Sequence, residues 1–281
     1  MIAICPNPFR DSELKYTRQA AEMLHAAGYE TAVCPVFAED APQMIPEDIK
    51  ATTLDAVRSR CSLVVVIGGD GTILSAARQL HNADIPILGV NLGSKGFMAA
   101  LEPEHMQLIV KAAAGEYTVS RRMMLDIELE RGGEIIYRDK ALNDVVLHGY
   151  GDCIRLTAWC AGDRITSFSG DGIILSTPTG STGYSMSAGG PIVEPEASAI
   201  IVSPICAHMM SARSYVLSAT HDVSVLAEKL HGRRAYISVD GNSVMDLANG
   251  DLLRVRRSER CILMADMGLK SFFDLAFEKL T

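Results

Sequence analysis

The sequence predicts an α/β N-terminal domain built on a parallel sheet, then a mostly antiparallel, β-rich C-terminal domain, with the last helix returning to the first domain. Two patterns carry this prediction. In the first part of the chain, apolar runs such as Leu63–Ile67 alternate with segments of helical periodicity, which is typical of a sheet covered on both faces. Beyond it, short apolar runs separated by glycine turns replace the helices, as in antiparallel hairpins. We therefore expect one domain over residues 1–120, with 258–281 packing back on it, and another over 121–257.

The elements of the first domain follow from apolar spacing, capping residues and glycine stops. Asp11 or Ser12 can cap the first helix, and Gly28 ends it. The other expected elements, in chain order, are strand Ile2–Cys5 before that helix, then strand Tyr29–Val36, helix Glu47–Ser59, strand Leu63–Ile67, helix Ile73–Leu80, strand Ile85–Asn91 and helix Pro103–Ala114.

The second domain contains two hairpin signals, one at Gly132-Gly133 and one at Gly162-Asp163. The strands expected around these turns and after them are Leu125–Leu129, Glu134–Tyr137, Arg155–Cys160, Arg164–Phe168, Ile173–Ser176, Ser198–Val202, Val223–Ala227, Tyr236–Val239 and Leu252–Val255. An amphipathic helix over Lys270–Leu280 closes the chain. Between these elements, Ser176–Pro191 has the Ser/Thr/Gly composition of a flexible linker, but Tyr184 and Met186 argue against that interpretation.

Composition narrows the function classes. The chain has 281 residues, of which 48% are apolar and 21% charged, with a net charge of −8. The acidic balance argues against a nucleic-acid partner, and no apolar run approaches the about 20 residues of a membrane span. Seven cysteines without a CxxC pair are typical of free thiols in a reducing compartment. We expect a cytoplasmic protein with neither a membrane nor a nucleic-acid partner.

The sharpest motif is Gly68-Gly69-Asp70-Gly71-Thr72, which lies between a buried strand and a helix. Ligands of α/β folds bind at this edge of the sheet, and glycines let a phosphate approach the backbone N–H groups that precede a helix. Because a carboxylate is a poor phosphate ligand, Asp70 suits a base for a hydroxyl group or an anchor for Mg²⁺. The alternative is a tight strand–helix turn with Asp70 as helix cap.

Two further segments point to a ligand. A second glycine-rich turn, from Asn91 and Gly93 to Phe97, follows the next strand, although an ordinary loop with a core Phe is the alternative. Lys95 of this turn is expected to be a solvated lysine. Asn143-Asp144 interrupts a strand pattern, where Asn and Asp are depleted. Either the pair contacts a ligand or a strand ends there. P-loop, GxGxxG, HExxH and GxSxG motifs are absent from the sequence.

In their order along the chain, these motifs resemble the NAD kinase family. The segments that carry the resemblance are GGDGT at 68–72, the NxGxxGF pattern at 91–97, the Asn-Asp pair at 143–144, DGIILSTPTGSTGYSMSAGGPIVEP at 171–195, SPICAH at 203–208, SVDG at 238–241 and SFFD at 271–274. GGDGT alone also occurs in diacylglycerol-type lipid kinases, so the 171–195 segment makes the resemblance specific. Gly183 departs from the family pattern, in which Ala is common.

The resemblance implies a phosphoryl transfer from ATP, or from polyphosphate, to the 2′-hydroxyl of the adenosine ribose of NAD, giving NADP. It implies Mg²⁺ brought with the donor, NAD bound between the domains, and a homodimer or homotetramer. Asp70 corresponds to the acid that activates the hydroxyl. The residues expected to contact NAD are Asp70, Gly71, Phe97, Asn143, Asp144, Asp171, Thr179, Thr182, Gly183, Tyr184 and Ser187. Those expected at the donor phosphates are Gly68, Gly69, Gly71, Thr72, Asn91 and Gly93.

Two other function classes share some of these features. A lipid kinase would carry the same GGDGT motif, but it would need a large apolar pocket or a basic surface facing a membrane. A non-catalytic NAD(P) sensor would bind the nucleotide without turnover. Formation of NADP from NAD separates the kinase from both alternatives.

Overall fold

The computed structural model describes residues 1–37, 41–80, 83–93, 96–209 and 212–280. Lys95 lies outside these ranges. Contacts between residues divide the chain into two compact units. The first unit holds Met1–Arg121 and the segment from Ile262 onward, and the second holds Arg122–Cys261.

The elements of the first unit alternate between strands and helices. In chain order they are β1 (Ile2–Pro6), a 3₁₀ turn (Ser12–Leu14), α1 (Lys15–Ala26), β2 (Thr31–Val33), a 3₁₀ turn (Ala41–Met44), α2 (Leu54–Val57), a 3₁₀ turn (Arg58–Arg60), β3 (Leu63–Gly68), α3 (Asp70–Leu80), β4 (Ile87–Asn91), a 3₁₀ turn (Pro103–His105) and α4 (Leu108–Ala113).

The second unit consists almost entirely of strands. In chain order the elements are β5 (Thr118–Arg131), β6 (Glu134–Ala141), β7 (Asp144–Gly149), β8 (Ile154–Cys160), β9 (Asp163–Gly170), β10 (Gly172–Ser176), a 3₁₀ turn (Thr179–Thr182), α5 (Tyr184–Ser187), β11 (Ala199–Ile205), β12 (Tyr215–Ser218), β13 (Val223–Glu228), β14 (Ala235–Val239), β15 (Asn242–Leu247) and β16 (Leu252–Asp266). α6 (Phe272–Leu280) follows, and β5 and β16 each include residues of both units.

The sheet of the first unit is parallel, in the order β2-β1-β3-β4, with Met264 of β16 paired in parallel with Ile87 of β4. Every residue of β3 is buried, as expected of a strand covered on both faces. The carboxylate of Asp11 caps α1, because it accepts the backbone N–H groups of Tyr16 and Thr17, each at 2.9 Å. The expected α/β fold is confirmed, and Asp11 accepts N–H groups of the first turn of α1 as predicted, although Leu14 occupies the N-cap position.

The helix expected over Glu47–Ser59 is wrong for most of its length, since only Leu54–Val57 is α-helical. The residues before it pair with the edge of the sheet instead. Ala51 forms a parallel bridge with Val33, and the Thr52 N–H donates to the Val33 carbonyl at 2.9 Å. The side chain of Thr53 then caps the short helix. A contact distant in sequence therefore outweighs the local helical pattern.

The second unit is built from antiparallel strands, as expected. One set runs β16-β13-β8-β9, with β5 paired to β16 and to β6, and the other runs β12-β11-β10-β7-β14-β15. Both glycine turns of the sequence form the predicted hairpins, β5–β6 and β8–β9. Strands β12 and β15 lack a clear apolar alternation and were not predicted. A continuous core that includes Leu125, Phe168 and Ile237 packs inside this unit.

The last helix, α6, clusters with the first unit, where Lys279 lies 3.8 Å from a carboxylate oxygen of Glu102. The fold class therefore includes the expected return of the chain. Phe273 and Phe277 on this helix are 66% and 73% exposed. Within the described ranges, no helix has both the length and the apolar character needed to cross a bilayer.

Candidate functional site

The GGDGT segment forms a tight turn from β3 into α3. Thr72 is buried, and its hydroxyl accepts the side-chain N–H of Asn7 at 3.0 Å. A Cβ atom on Gly68 would lie 2.5 Å from the Thr72 hydroxyl oxygen, so only glycine fits at that position. Thr72 and Gly68 therefore shape the turn, and the Thr72 hydroxyl lies against the Gly68 backbone.

Asp70 is the first residue of α3, and it joins the two glycine-rich turns. One carboxylate oxygen accepts the Phe97 N–H at 2.9 Å, and the other accepts the Met98 N–H at 3.2 Å. Burial raises the pKa of Asp70, whereas these N–H groups and the charges of Lys279 and Arg10 oppose the rise. The structure thus brings Asp70 and Phe97 into direct contact. A carboxylate with a raised pKa suits proton abstraction near neutral pH.

Asn91 organises the second turn. Its amide N–H donates to the Gly93 carbonyl at 2.8 Å and to the Glu102 carboxylate at 3.2 Å, and its amide oxygen accepts the Gly93 N–H at 3.0 Å. A Cβ atom on Gly96 would lie 2.8 Å from that amide oxygen. The backbone of this turn is also tied to the first one, since the Leu92 N–H donates to the Gly68 carbonyl at 2.6 Å.

Asn143 lies between two strands, since β6 ends at Ala141 and β7 begins at Asp144. A strand end at this position, one of the two alternatives that the sequence left open, is therefore confirmed. Asp240 causes the break: its carboxylate accepts the N–H groups of Leu142, Asn143 and Asp144 at 2.9, 2.7 and 3.1 Å. The buried amide oxygen of Asn143 has no hydrogen-bond partner in the described part of the chain. An orphaned acceptor of this kind is a candidate ligand contact.

Burial, with the neighbouring charge of Asp240, raises the pKa of Asp144 to about 7. Since an unfolded aspartate ionises near 3.8, the folded state holds a proton between these two values and the unfolded state does not. Ionised Asp144 therefore destabilises the fold, and this cost is complete only above about pH 7.

We expect Asp144→Asn to become more stable relative to the wild type as the pH rises. Between about pH 4 and about pH 8 the difference in unfolding free energy should grow by up to about 4 kcal/mol. Urea unfolding across this range measures it, with the exposed turn variant Asp163→Asn as control. If the unfolding free energies of Asp144→Asn and the wild type change in the same way with pH, the raised pKa of Asp144 is contradicted.

The Ser/Thr/Gly-rich segment after β10 is an ordered turn, not a flexible linker. The Thr177 hydroxyl donates to the Leu142 carbonyl at 2.6 Å. A Cβ atom on Gly180 would lie 2.2 Å from the Asn143 carbonyl oxygen, so this glycine packs directly on the Asn143 backbone. The buried hydroxyl of Thr179 has no partner among the described residues. Thr179 and Asn143 thus present two unpaired polar atoms in one part of the unit.

The remaining expected contacts in this segment are more exposed. The Thr182 hydroxyl donates to the Thr179 carbonyl at 3.4 Å, and Ser187 lies at the surface. A Cβ atom on Gly183 would lie 3.3 Å from the Gly180 carbonyl oxygen and 3.7 Å from the amide nitrogen of Asn143. The backbone at this position therefore lies against Asn143 with little space for the alanine that is common in the family pattern.

Tyr184 begins a row of aromatic rings on the surface of the second unit. Its hydroxyl lies 2.8 Å from Nε2 of His148, and the rings of Tyr184 and Tyr236 stack on His148 with centroids 5.5 Å away. Tyr150 continues the row at 4.5 Å from Tyr236. The exposed Asp171 lies near one end, where the hydrogen bond to its carboxylate raises the pKa of the Cys206 thiol.

Sequence reasoning missed Arg10 beside the predicted residues of the first unit, and Asp240 and His148 beside those of the second. Asp240 was available as part of SVDG, but only the fold shows that its carboxylate holds the Asn143-Asp144 backbone. Arg10 and His148 are polar residues in a loop and a strand, and neither carries a local signal. In the described ranges, no three His, Cys, Asp or Glu side chains form a cluster that could hold a metal ion.

Comparisons with known proteins cover both units. The family model described as ATP-NAD kinase N-terminal domain matches residues 2–117, and the one described as ATP-NAD kinase C-terminal domain matches 142–266. An NAD kinase of Acetivibrio thermocellus is 36% identical over 277 residues, which are 98% of this chain and 94% of that protein. An NAD kinase of Ruminiclostridium cellulolyticum is 33% identical, over 99% of this chain and 97% of that protein.

Two solved structures are similar in fold. Yeast NADH kinase complexed with NADH superposes with a TM-score of 0.86 and 27% identity, over 99% of this chain and 86% of that one. An NAD kinase from Archaeoglobus fulgidus in complex with ATP has a TM-score of 0.76 and 25% identity, over 100% of this chain and 98% of that one.

Proposed function

The chain belongs to the NAD kinase family, and we propose that it transfers the terminal phosphoryl group of ATP, or of polyphosphate, to the 2′-hydroxyl of the adenosine ribose of NAD. The observation that supports this proposal is the contact of Asp70 with the second glycine-rich turn, because it joins one buried carboxylate to both turns. Phosphoryl transfer depends chiefly on positioning and charge neutralisation, which such an arrangement supplies.

In the proposed reaction Asp70 accepts the proton of the 2′-hydroxyl. The hydroxyl oxygen forms a bond to the terminal phosphorus as the bond from that phosphorus to the leaving phosphate breaks, giving NADP together with ADP or a polyphosphate shorter by one phosphate. Each carboxylate oxygen has two acceptor sites, and one backbone N–H occupies one of them on each oxygen. A site on Asp70 therefore remains for the hydroxyl proton.

We propose that the donor phosphates bind at the two glycine-rich turns, beside Gly69, Gly71 and Gly93. A family of ATP-dependent kinases implies a phosphoryl donor, generally with a divalent metal ion. We propose Mg²⁺ that arrives on the donor phosphates. Mg²⁺ often takes one carboxylate together with phosphate oxygens and water, and Asp70 is a carboxylate suited to this. Bound Mg²⁺ would neutralise phosphate charge.

In the second unit, we propose that Asn143 and Asp144 contact the adenosine of NAD, with Thr179, Thr182, Gly183, Tyr184 and Ser187 lining the same region. The unpaired oxygen of Asn143 and the unpaired hydroxyl of Thr179 support this assignment. Both atoms are buried, and a nucleoside offers the donors that they lack.

Asn143→Ala is expected to weaken NAD binding about 5- to 150-fold, since a partner left unpaired costs about 1–3 kcal/mol. Titration calorimetry with NAD measures the change. The matched control is Asn249→Ala, whose exposed side chain accepts the Leu230 N–H in a turn. An NAD affinity equal to that of the wild type, in a normally folded variant, would remove Asn143 from the site.

We also propose a homodimer or homotetramer in which Asp171 reaches a neighbouring subunit's site. The exposed aromatic row supports it, because Tyr150 and Tyr184 are 48% and 40% exposed and such rings are enriched at protein interfaces. When the Asp70→Asn and Asp171→Asn variants are mixed and their subunits exchange, the activity of the mixture should rise above that of either variant alone. A mixture without activity, with exchange confirmed, or a monomer by light scattering would contradict this assembly.

The decisive experiment for the activity is a coupled assay of NADP formation with NAD and each donor, ATP or polyphosphate. Diacylglycerol in place of NAD tests the lipid kinase alternative. NADP bound without turnover would favour a sensor. The seven free cysteines support the cytoplasm, a reducing compartment, as the proposed location.

A further inference from the structure

The side chain of Arg10 lies against both glycine-rich turns of the first unit. A Cβ atom on Gly93 would lie 2.5 Å from Nη1 of Arg10, and one on Gly69 would lie 3.9 Å from its Cζ. The guanidinium group therefore lies where the two turns leave room for it, and a side chain at Gly93 would displace it. One positively charged group is thus adjacent to both turns.

The backbone that carries Arg10 is held firmly. The Arg10 N–H donates to the Asn7 carbonyl at 3.0 Å, and the Asn7 side chain donates to Thr72 of the first turn. On the other side of Arg10, buried Asp11 caps α1. A cation whose main chain is fixed in this way is preorganised for a ligand.

Arg10 forms no close ion pair with any residue that the structure describes. In the described ranges no carboxylate oxygen lies within 4.0 Å of its guanidinium group, and the residue is exposed. Its charge acts on Asp70, the residue that connects the two turns. A guanidinium group without a close carboxylate in the described ranges, held against both glycine-rich turns, is suited to bind an anion.

We infer that Arg10 binds the phosphoryl group that the donor delivers to the two glycine-rich turns. This inference rests on the proposed function. The planar guanidinium group matches two phosphate oxygens at once, which an ammonium group does not. As the phosphoryl group transfers, Arg10 neutralises charge on its oxygens, in a place where the chain has no P-loop lysine.

The test compares Arg10→Gln, Arg10→Lys and a control, Arg60→Gln, whose side chain is 63% exposed and lies 3.9 Å from Glu30. Arg10→Gln should lower kcat/KM for ATP about 10- to 100-fold while the Kd for NAD stays within about twofold. Arg10→Lys should recover part of this loss, and Arg60→Gln should match the wild type. An unchanged kcat/KM for ATP in folded Arg10→Gln would overturn the inference, as would equal losses toward ATP and NAD.

A second measurement separates this inference from the proposed function. Inorganic tripolyphosphate is titrated directly into each protein by calorimetry, with no turnover required. The wild type should bind it, and Arg10→Gln should bind it about tenfold or more weakly. If the wild type forms no NADP, the proposed function fails. The titration still tests whether Arg10 binds a polyphosphate anion. If the wild type forms NADP and the two proteins bind tripolyphosphate equally, the inference about Arg10 fails alone.

Discussion

Asp70→Asn is expected to lower kcat by about 10²–10⁴, the usual contribution of a general base. The amide cannot take the 2′-hydroxyl proton, and its NH₂ group faces a backbone N–H of Phe97 or Met98 where the carboxylate accepted one. Binding of NAD should change far less than kcat. Steady-state assays of NADP formation and calorimetry with NAD measure the two quantities.

A pH profile distinguishes a base from a residue that only positions the second turn. Burial raises the pKa of Asp70. As the pH is lowered, kcat/KM of the wild type should therefore begin to fall at a pH above the usual pKa range of a carboxylate. That acid limb should disappear in Asp70→Asn. The control is Asp55→Asn, another aspartate in the first turn of a helix, whose side chain is 76% exposed. A variant that keeps more than about a tenth of wild-type kcat would show that Asp70 is not the base.

Asp240→Asn is expected to weaken NAD binding about 10- to 100-fold and, at about pH 5, where Asp144 keeps its proton, to lower the unfolding free energy by about 1–3 kcal/mol. The carboxylate accepts three backbone N–H groups, and an amide can accept only on its oxygen side. The turn that carries Asn143 and Asp144 should therefore move. Asp240 has a φ of 46°, which asparagine tolerates, so the substitution changes hydrogen bonding and not the allowed backbone.

Calorimetry with NAD and urea unfolding measure these two effects of Asp240→Asn. Loss of the negative charge should also lower the pKa of Asp144, since Asp240 is one of the two causes of its rise. The control is Asp163→Asn in the β8–β9 turn. NAD affinity and stability both equal to the wild type would show that the Asn143-Asp144 turn does not depend on Asp240.

The sequence by itself determined the elements whose signals are local. The buried run Leu63–Ile67 predicted β3, Asp11 and Gly28 predicted the limits of α1, and the glycine pairs predicted both hairpins. GGDGT and the 171–195 segment identified the family, because their residues and order are specific. These features depend on backbone freedom, capping and apolar periodicity, which are properties of a residue and its near neighbours in sequence.

Only the tertiary structure decided the contacts between distant segments. Pairing with Val33 made 47–52 non-helical, and the hydrogen bonds to the Asp240 carboxylate separate the end of β6 at Ala141 from the start of β7 at Asp144. The same holds for Arg10. In the sequence it does not differ from other charged loop residues, and only the fold shows that its guanidinium group lies against Gly69 and Gly93. A hydrogen bond or an anion site needs two groups at a fixed distance. Sequence spacing does not give that distance when the groups belong to separate elements, because the path of the intervening chain sets it.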